Sequence, residues 1–300
     1  MTADGPLPAA PGEARRAVRD RLAAAGTPSP DVDADRLLDH VTGRGRLERL
    51  TRPRDLTDAE RTELAALTAA RASGTPLQHL IGEADFHGLT LMAGPGALVP
   101  RPETEVLVER ALAVLQGRPA PVVWDVGTGS GAIAVALQVA RPDAEVWASD
   151  ASADALAVAE RNVHLHAPAV HLVHGAGAQP PALRALLPRL DLLAANLPYL
   201  PDGGRAAPAA EVAHDPADAL YGGPDGLDVV RAVWREVETE LAPHAVGLFE
   251  VDPRNADAFA TWLAARPAVR GRSVAVHPDL TGRPRLVEVG AREDAGAPGA

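Results

Sequence analysis

The sequence predicts an α/β fold in which a mostly parallel sheet carries helices on both faces, preceded by a small helical domain. Two observations predict it. From residue 104 onward, short apolar runs alternate with amphipathic segments, a pattern typical of strand–helix–strand units. Before residue 73, the apolar residues recur only at helical spacing. A chain of 300 residues that is 46% hydrophobic can bury the core of such a fold.

Residues 1–74 are predicted to form the helical domain. One helix ends at Gly26, and a second begins after Ser29-Pro30. Thr57 and Glu60 have the spacing of a capping box at the start of a further helix. A small helical domain of this kind is expected to bind or position another molecule.

Residues 75–100 are predicted to link the two domains through a β-hairpin. Short strands are expected at Leu80-Ile81, Phe86–Leu91 and Ala97–Val99, where apolar residues stand between glycines.

Residues 101–292 are predicted to form the α/β domain. Buried strands are expected at 122–126, 145–149, 170–173, 191–195, 246–250, 273–276 and 285–289. Helices are expected at 104–115, 132–139, 153–164, 226–240 and 256–265. The remaining residues, 293–300, are small and polar, and we expect a disordered tail there.

The composition excludes several classes of function. The net charge is −11 and all 29 basic residues are arginine, which disfavours nucleic acid as a partner and leaves no lysine for a phosphate-binding loop. The absence of cysteine removes thiolate chemistry, and the ten histidines show no spacing suited to a metal site. No apolar run approaches the roughly 18 residues of a membrane span, and no secretory signal opens the chain. We expect a cytoplasmic monomer without metal, membrane or nucleic acid.

A glycine loop after the first strand of this domain is the first candidate site. Its residues that we expect to contact a cofactor are Asp125, Gly127, Thr128, Gly129, Ser130 and Gly131. Glycines let the backbone approach a ligand closely, with the N–H groups of the next helix facing it. Asp150 ends the following strand, where a carboxylate can accept hydrogen bonds from ribose hydroxyls. The spacing G-x-G-x-G differs from the dinucleotide pattern, although a dehydrogenase or a plain tight turn remains an alternative.

The second candidate site is Asn196-Leu197-Pro198-Tyr199, at the end of the fourth strand. Because parallel strands end at one edge of a sheet, this segment is predicted to meet the glycine loop. The side-chain oxygen of Asn196 and a backbone carbonyl could hold an NH₂ group and aim its lone pair at a methyl donor. Tyr199 would offer a flat packing face, and Pro198 would stiffen the loop. A structural Asn-x-Pro turn is the alternative.

In these two segments and in two further blocks, the chain resembles the HemK/PrmC family of protein-(glutamine-N5) methyltransferases. The likeness runs from about residue 13 to Arg292. Four blocks carry it, namely Arg71-x-x-Gly74-x-Pro76-Leu77-x-x-Leu80-Ile81-Gly82, Val99-Pro100-Arg101-Pro102-Glu103-Thr104-Glu105, the segment Asp125–Gly131, and Asn196–Tyr199.

The resemblance implies the class I S-adenosylmethionine-dependent methyltransferase fold, which is Rossmann-like, and S-adenosyl-L-methionine as the cofactor. It also implies a substrate, the glutamine of the Gly-Gly-Gln motif in class 1 peptide chain release factors, with the helical domain helping to bind that partner. By position, Asn196 would hold the glutamine amide and also contact the cofactor, and the residues expected to contact the substrate with it are Leu197, Pro198, Tyr199, Glu103 and Thr104. Glu103 and Thr104 are equally well explained as the start of a helix.

Four positions depart from the family pattern. Leu197 replaces a proline, and Ala176-Gly177 replaces an Asp-Trp pair, which would weaken contacts to adenine. Asp215-Pro216 stands for Glu-Pro, and Glu250-Val251-Asp252 for Glu-Ile-Gly. Three alternatives stay open. The departures suggest a divergent paralogue that methylates a nitrogen of another protein or small molecule, or a cofactor-binding module without catalysis. An adenine-N6 nucleic-acid methyltransferase is the third, because such enzymes share a loop like Asn196–Tyr199.

Overall fold

A computed structural model describes residues 6–202 and 216–292 of the chain. These fall into two units, the first running to Glu83 and the second beginning at Ala84. The expected tail at 293–300 and the departure at Asp215 lie outside the described residues. The predicted domain boundaries at 74, 100 and 292 stay predictions.

The first unit is helical. Its helices are α1 (Pro11–Ala24), α2 (Pro30–Thr42), α3 (Arg46–Thr51), α4 (Asp58–Ala72) and α5 (Leu77–Ile81). Leu22, Leu37 and Leu64 are fully buried between them. The predicted capping box is confirmed, since the Thr57 hydroxyl accepts from the Glu60 N–H and the Glu60 carboxylate accepts from the Thr57 N–H.

The hairpin of the predicted linker is confirmed, with strands β1 (Glu83–Phe86) and β2 (Leu89–Met92). The strands expected at Leu80-Ile81 and at Ala97–Val99 are wrong. Leu80-Ile81 belongs to α5, because Pro76 precedes that helix and Gly82, at φ +77°, ends it. Ala97 and Val99 are buried in a loop, so their apolar character reflects packing and not strand pairing.

The second unit alternates helices and strands. Its helices are α6 (Pro102–Val114), α7 (Ala132–Ala140), α8 (Ala153–His166), α9 (Pro181–Arg184), α10 (Asp228–Val237) and α11 (Ala256–Ala264). Its strands are β3 (Val122–Val126), β4 (Glu145–Asp150), β5 (His171–His174), β6 (Leu192–Asn196), β7 (Val246–Glu250), β8 (Arg272–Pro278) and β9 (Pro284–Arg292). Every strand expected in this domain is present, with ends shifted by a few residues.

The seven strands form one sheet in the order β5-β4-β3-β6-β7-β9-β8. The five strands from β5 to β7 are parallel, and β9 runs antiparallel to both of its neighbours. In chain order, β4 and β5 are added on one side of β3, and β6 then pairs with the other side of β3. This switch point opens a crevice at the carboxyl ends of β3 and β6, where ligands bind in such folds. The predicted α/β fold with a mostly parallel sheet is therefore confirmed.

Alternating side chains of the sheet enter two apolar layers. On β3, Trp124 and Val126 pack into the layer that contains α10 and α11, whereas Val123 packs into the layer that contains α6 and α7. Because side chains alternate along a strand, Asp125 falls on the same face as Val123, beneath the start of α7. None of the described helices combines the length and the apolar character that crossing a bilayer requires.

Candidate active site

A cavity of about 700 Å³ opens at the switch point of the sheet. Such a volume lies within the range of small-molecule and cofactor sites. Most of the predicted site residues line it, namely Thr104, Gly127, Thr128, Gly129, Ser130, Asp150, Asn196, Leu197 and Pro198. Glu103, Asp125, Gly131 and Tyr199 do not. The two loops predicted from sequence thus border one cavity.

The glycine loop turns sharply because its glycines have left-handed backbone conformations. Gly127, Gly129 and Gly131 have φ of +69°, +58° and +82°. The turn is fixed by hydrogen bonds from the Gly127 and Thr128 N–H groups to the Ser149 carbonyl on β4, at 2.8 and 2.9 Å. This conformation, which side chains disfavour, brings the backbone to the wall of the cavity.

Leu197 packs directly on the glycine loop. A Cβ atom added at Gly127 would lie only 2.6 Å from Leu197 Cδ2, closer than any ordinary contact. The Asn196–Tyr199 segment and the glycine loop are therefore in contact, as the sequence predicted.

Asp150 is held at the cavity wall by backbone donors. Its Oδ2 accepts from the Gly129 N–H and its Oδ1 from the Ser152 N–H, each at 2.8 Å. A carboxylate has about four lone-pair directions, so both oxygens can accept a further hydrogen bond. Asp150 can therefore bind two neighbouring hydroxyl groups of a ligand without leaving its position.

Asp125 does not line the cavity, although the sequence predicted that it contacts a cofactor directly. It is fully buried, and its Oδ2 accepts from the Thr128 hydroxyl at 2.6 Å and from the Ala134 N–H at 3.2 Å. Burial raises the pKa of Asp125 to about 7, although both hydrogen bonds oppose the rise. Its position behind the loop, set by the alternation of side chains along β3, suits a residue that shapes the glycine turn.

Asn196 ends β6 and lines the cavity. Its side-chain Nδ2 donates to the Thr104 hydroxyl at 3.0 Å. One N–H of the amino group is used in this way and fixes the plane of the carboxamide, whose oxygen can only accept. Thr104, which is buried at the start of α6, therefore orients the Asn196 side chain.

The segment after Asn196 is supported from behind by a glycine turn. A Cβ atom at Gly222 would lie 2.3 Å from the Pro198 carbonyl oxygen, and one at Gly226 would lie 2.2 Å from the Tyr199 carbonyl oxygen. Only glycine allows these two backbones to approach so closely. The sequence analysis assigned no role to this turn.

Tyr199 and Glu103 do not line the cavity, and the contacts with the substrate that were predicted for them stay predictions. Burial raises the pKa of Tyr199 to about 12, and the negative charge of Glu250 adds to the rise. Glu103 borders a separate small void together with Glu250 and Arg285.

Glu250 is a buried carboxylate in this region to which the sequence analysis assigned no role. It ends β7, pairs in register with Asn196 and is 3% exposed. No donor among the described residues makes a hydrogen bond of good geometry to either oxygen, and Arg285 Nη1 lies 3.9 Å from Oε1. Burial raises the pKa of Glu250 to about 7, while the nearby Thr104 hydroxyl and Arg285 guanidinium lower it. An acidic residue that ends a wholly apolar strand was the available signal.

The raised pKa of Glu250 predicts how stability depends on pH. The pKa of Glu250 in the folded protein is about 7, above the ordinary value of 4.5. Between pH 4.5 and 7 the folded protein therefore binds this proton more tightly than the unfolded chain, and the free energy of unfolding falls as the pH rises. Relative to the isosteric variant Glu250→Gln, we expect the wild type to be most stable below pH 4.5. As the pH rises to about 7, it should lose at most about 1.4 kcal/mol per pH unit relative to that variant. Urea unfolding at several pH values measures this difference.

The matched control for Glu250→Gln is Glu160→Gln, which neutralises an exposed carboxylate on α8. Its free energy of unfolding should follow the wild type at every pH. A constant difference between wild type and Glu250→Gln across this range would contradict the expected titration.

This fold and site define the class of the protein as a class I methyltransferase. The sheet order, the glycine loop after β3 and the acidic residue that ends β4 together characterise the class. A solved structure of the hMettl16 catalytic domain, in complex with MAT2A 3′UTR hairpin 6, shares the fold with a TM-score of 0.53 at 14% identity, over 81% of this chain and 86% of that chain.

Sequence relatives define the particular family. Residues 13–82 match the model of the PrmC N-terminal domain, and residues 105–189 match that of a precorrin methyltransferase domain. The chain is 45% identical over 269 residues to the release factor glutamine methyltransferase of Deinococcus radiodurans, covering 89% of this chain and 93% of the relative. It is 41% identical over 272 residues to that of Mycolicibacterium smegmatis, covering 89% and 92%. The chain belongs to the release factor glutamine methyltransferase family.

Membership of this family confirms the resemblance found in the sequence and makes the protein an enzyme of the methyltransferase class. The relatives match over most of their own length as well as most of this chain. The divergent-paralogue, nucleic-acid and non-catalytic interpretations are therefore not favoured.

Proposed function

We propose that the protein transfers a methyl group from S-adenosyl-L-methionine to the side-chain amide nitrogen of glutamine, in the Gly-Gly-Gln motif of class 1 peptide chain release factors. One observation carries the proposal: Asn196 commits its amino group to Thr104 and so offers an oxygen acceptor to a cavity bordered by the glycine loop. The family to which the chain belongs carries the name of this activity.

The residues of the cavity suit S-adenosyl-L-methionine. The glycine loop leaves open space, since a Cβ atom at Gly129 would meet nothing within 4 Å. Asp150 would hold the ribose hydroxyls, and the loop backbone would lie along the ligand. When bound, the cofactor supplies an electrophilic methyl group carried on a sulfonium.

Asn196 has the main task in methyl transfer. An amide nitrogen is a weak nucleophile because its lone pair is delocalised into the carbonyl group. Asn196 Oδ1 and the backbone carbonyl of Leu197 would each accept one N–H of the glutamine amide, which turns the lone pair toward the methyl group. The nitrogen gains the methyl group and then releases one proton, so no strong base is needed. A leucine at position 197 offers the same backbone carbonyl as a proline.

The test is to incubate the protein with S-adenosyl-L-methionine and unmethylated release factor, and to sequence the Gly-Gly-Gln peptide by mass spectrometry. We expect one methyl group on the glutamine. A release factor in which asparagine replaces that glutamine is the control and should remain unmodified. Methylation elsewhere in the release factor, or of an adenine-containing oligonucleotide in preference to it, would refute the proposal.

The partner and the location of the enzyme follow from this proposal. We infer that the helical unit contributes to binding the release factor and that the protein works in the cytoplasm, where translation ends. That it acts as a monomer and without nucleic acid stays a prediction.

A further inference from the structure

One end of the cavity lies between α10 and the loop that follows β5. On the α10 side it is lined by Val229, Ala232, Val233 and Glu236. Residues three and four apart share one face of a helix, so these four side chains form a single strip. On the opposite side the lining residues are Gly175, Ala176, Gly177 and Gln179. Apart from Glu236 and Gln179, these residues are small or apolar, which suits a flat, largely apolar group.

Glu236 places a carboxylate at the end of that strip. Its Oε2 accepts from the Ala178 N–H at 2.8 Å, which ties the side chain of α10 to the loop after β5. A carboxylate can only accept hydrogen bonds, and Ala178 uses one of its lone pairs. The remaining lone pairs therefore select a ligand that presents a hydrogen-bond donor.

Gly177 leaves the space that Glu236 occupies. A Cβ atom at Gly177 would lie 2.2 Å from Glu236 Oε2 and 3.0 Å from its Cδ. Gly177 also has a φ of +49°, which side chains disfavour. Any side chain at this position would displace the carboxylate, so Glu236 can occupy this place only because residue 177 is glycine.

The order of the strands indicates which part of the ligand lies here. Asn196 ends β6 on one side of β3, whereas Asp150 ends β4 on the other side, next to β5. A ligand whose methyl group faces Asn196 and whose ribose is held by Asp150 extends its base toward the loop after β5. The base of the cofactor would therefore enter the space between that loop and α10.

We propose that Glu236 is the residue that selects adenine in the cofactor, with its carboxylate accepting a hydrogen bond from the exocyclic amino group of the base. The inference rests on the proposed function, in which S-adenosyl-L-methionine occupies the cavity. Glu236 would supply a contact to adenine where Ala176 and Gly177, which stand in place of the family's Asp-Trp pair, were expected to weaken the contacts to this base. A base that carries a carbonyl oxygen in place of the amino group would face the carboxylate with two acceptors and no hydrogen between them.

The experiment compares two nucleosides by calorimetry. S-adenosylhomocysteine carries the amino group, and S-inosylhomocysteine carries a carbonyl oxygen in its place. We expect the wild type to prefer the adenine compound by roughly 100-fold or more, because a site built around a hydrogen bond rejects a ligand that leaves it unmade. In Glu236→Gln, whose amide can both accept and donate, the preference should shrink to a few-fold.

Glu240→Gln is the matched control, because Glu240 lies further along the chain and pairs with Arg184 at the surface. It should keep the wild-type preference. Equal binding of the two nucleosides by the wild type, or an unchanged preference in Glu236→Gln, would overturn the role of Glu236. Binding of neither nucleoside by the wild type would instead refute the cofactor assignment, and the role of Glu236 with it.

Discussion

Asn196→Ala is expected to lower kcat for glutamine methylation by about 10²- to 10³-fold, the usual effect of removing one preorganised hydrogen-bonding group from an active site. The substitution removes the oxygen that would accept from the glutamine amide, whereas the glycine loop and Asp150 remain in place. The affinity for S-adenosylhomocysteine should therefore change by less than about threefold. Single-turnover methylation of release factor and calorimetry with S-adenosylhomocysteine measure the two quantities.

Thr104→Val separates two roles of the Asn196 side chain. A valine at position 104 leaves the Asn196 oxygen in place but removes the hydroxyl that accepts from the Asn196 amino group at 3.0 Å. We expect a smaller loss of kcat than in Asn196→Ala, because orientation is lost and the acceptor is kept. Equal loss of cofactor affinity and of kcat in Asn196→Ala would show that Asn196 supports the loop and not the amide.

Gly127→Ala should destabilise the protein without any ligand by about 3 kcal/mol. Two effects combine: an alanine at φ +69° costs about 1 kcal/mol, and its Cβ would lie 2.6 Å from Leu197 Cδ2. The clash would also push apart the two loops that border the cavity. We expect the affinity for S-adenosylhomocysteine to fall by about 10²-fold. Urea unfolding and calorimetry test the two expectations.

Gly129→Ala is the matched control for the strain alone. Gly129 has φ +58°, yet a Cβ atom there would meet nothing within 4 Å. Its free energy of unfolding should fall by only about 1 kcal/mol. In the double variant Gly127→Ala with Leu197→Ala, the clash is absent, so adding Gly127→Ala to a Leu197→Ala background should cost no more than Gly129→Ala does. Equal losses for Gly127→Ala and Gly129→Ala would show that contact with Leu197 does not restrict position 127.

The contact between Gly127 and Leu197 also explains how this chain accommodates its departure from the family pattern. Leucine reaches over the glycine loop and fills the junction between the two loops, where Leu197 is only 7% exposed. The backbone carbonyl at position 197 is unaffected by the change of side chain. Only the shape of the junction depends on the residue.

Errors in the predicted elements occurred where local patterns were short. The apolar pair Leu80-Ile81 was predicted as a strand, but a helix of one turn and a strand of two residues have the same pattern. Ala97–Val99 is equally apolar and is buried without pairing. The strands from β3 to β9 were predicted correctly, because the alternation of strands and helices along this part of the chain supports each assignment beyond its own few residues.

The sequence alone determined the fold class, the glycine loop and Asn196 as the centre of the site, because each depends on residues close together in the chain. A turn needs its own glycines, and a strand needs its own apolar run. The tertiary structure decided which distant residues meet: Thr104 and Asn196 are 92 positions apart, and Ala178 and Glu236 are 58 apart. It also left Asp125, Gly131, Glu103 and Tyr199 outside the lining of the cavity. The order of the strands sets these distances, and that order results from packing the whole sheet and not from any local pattern.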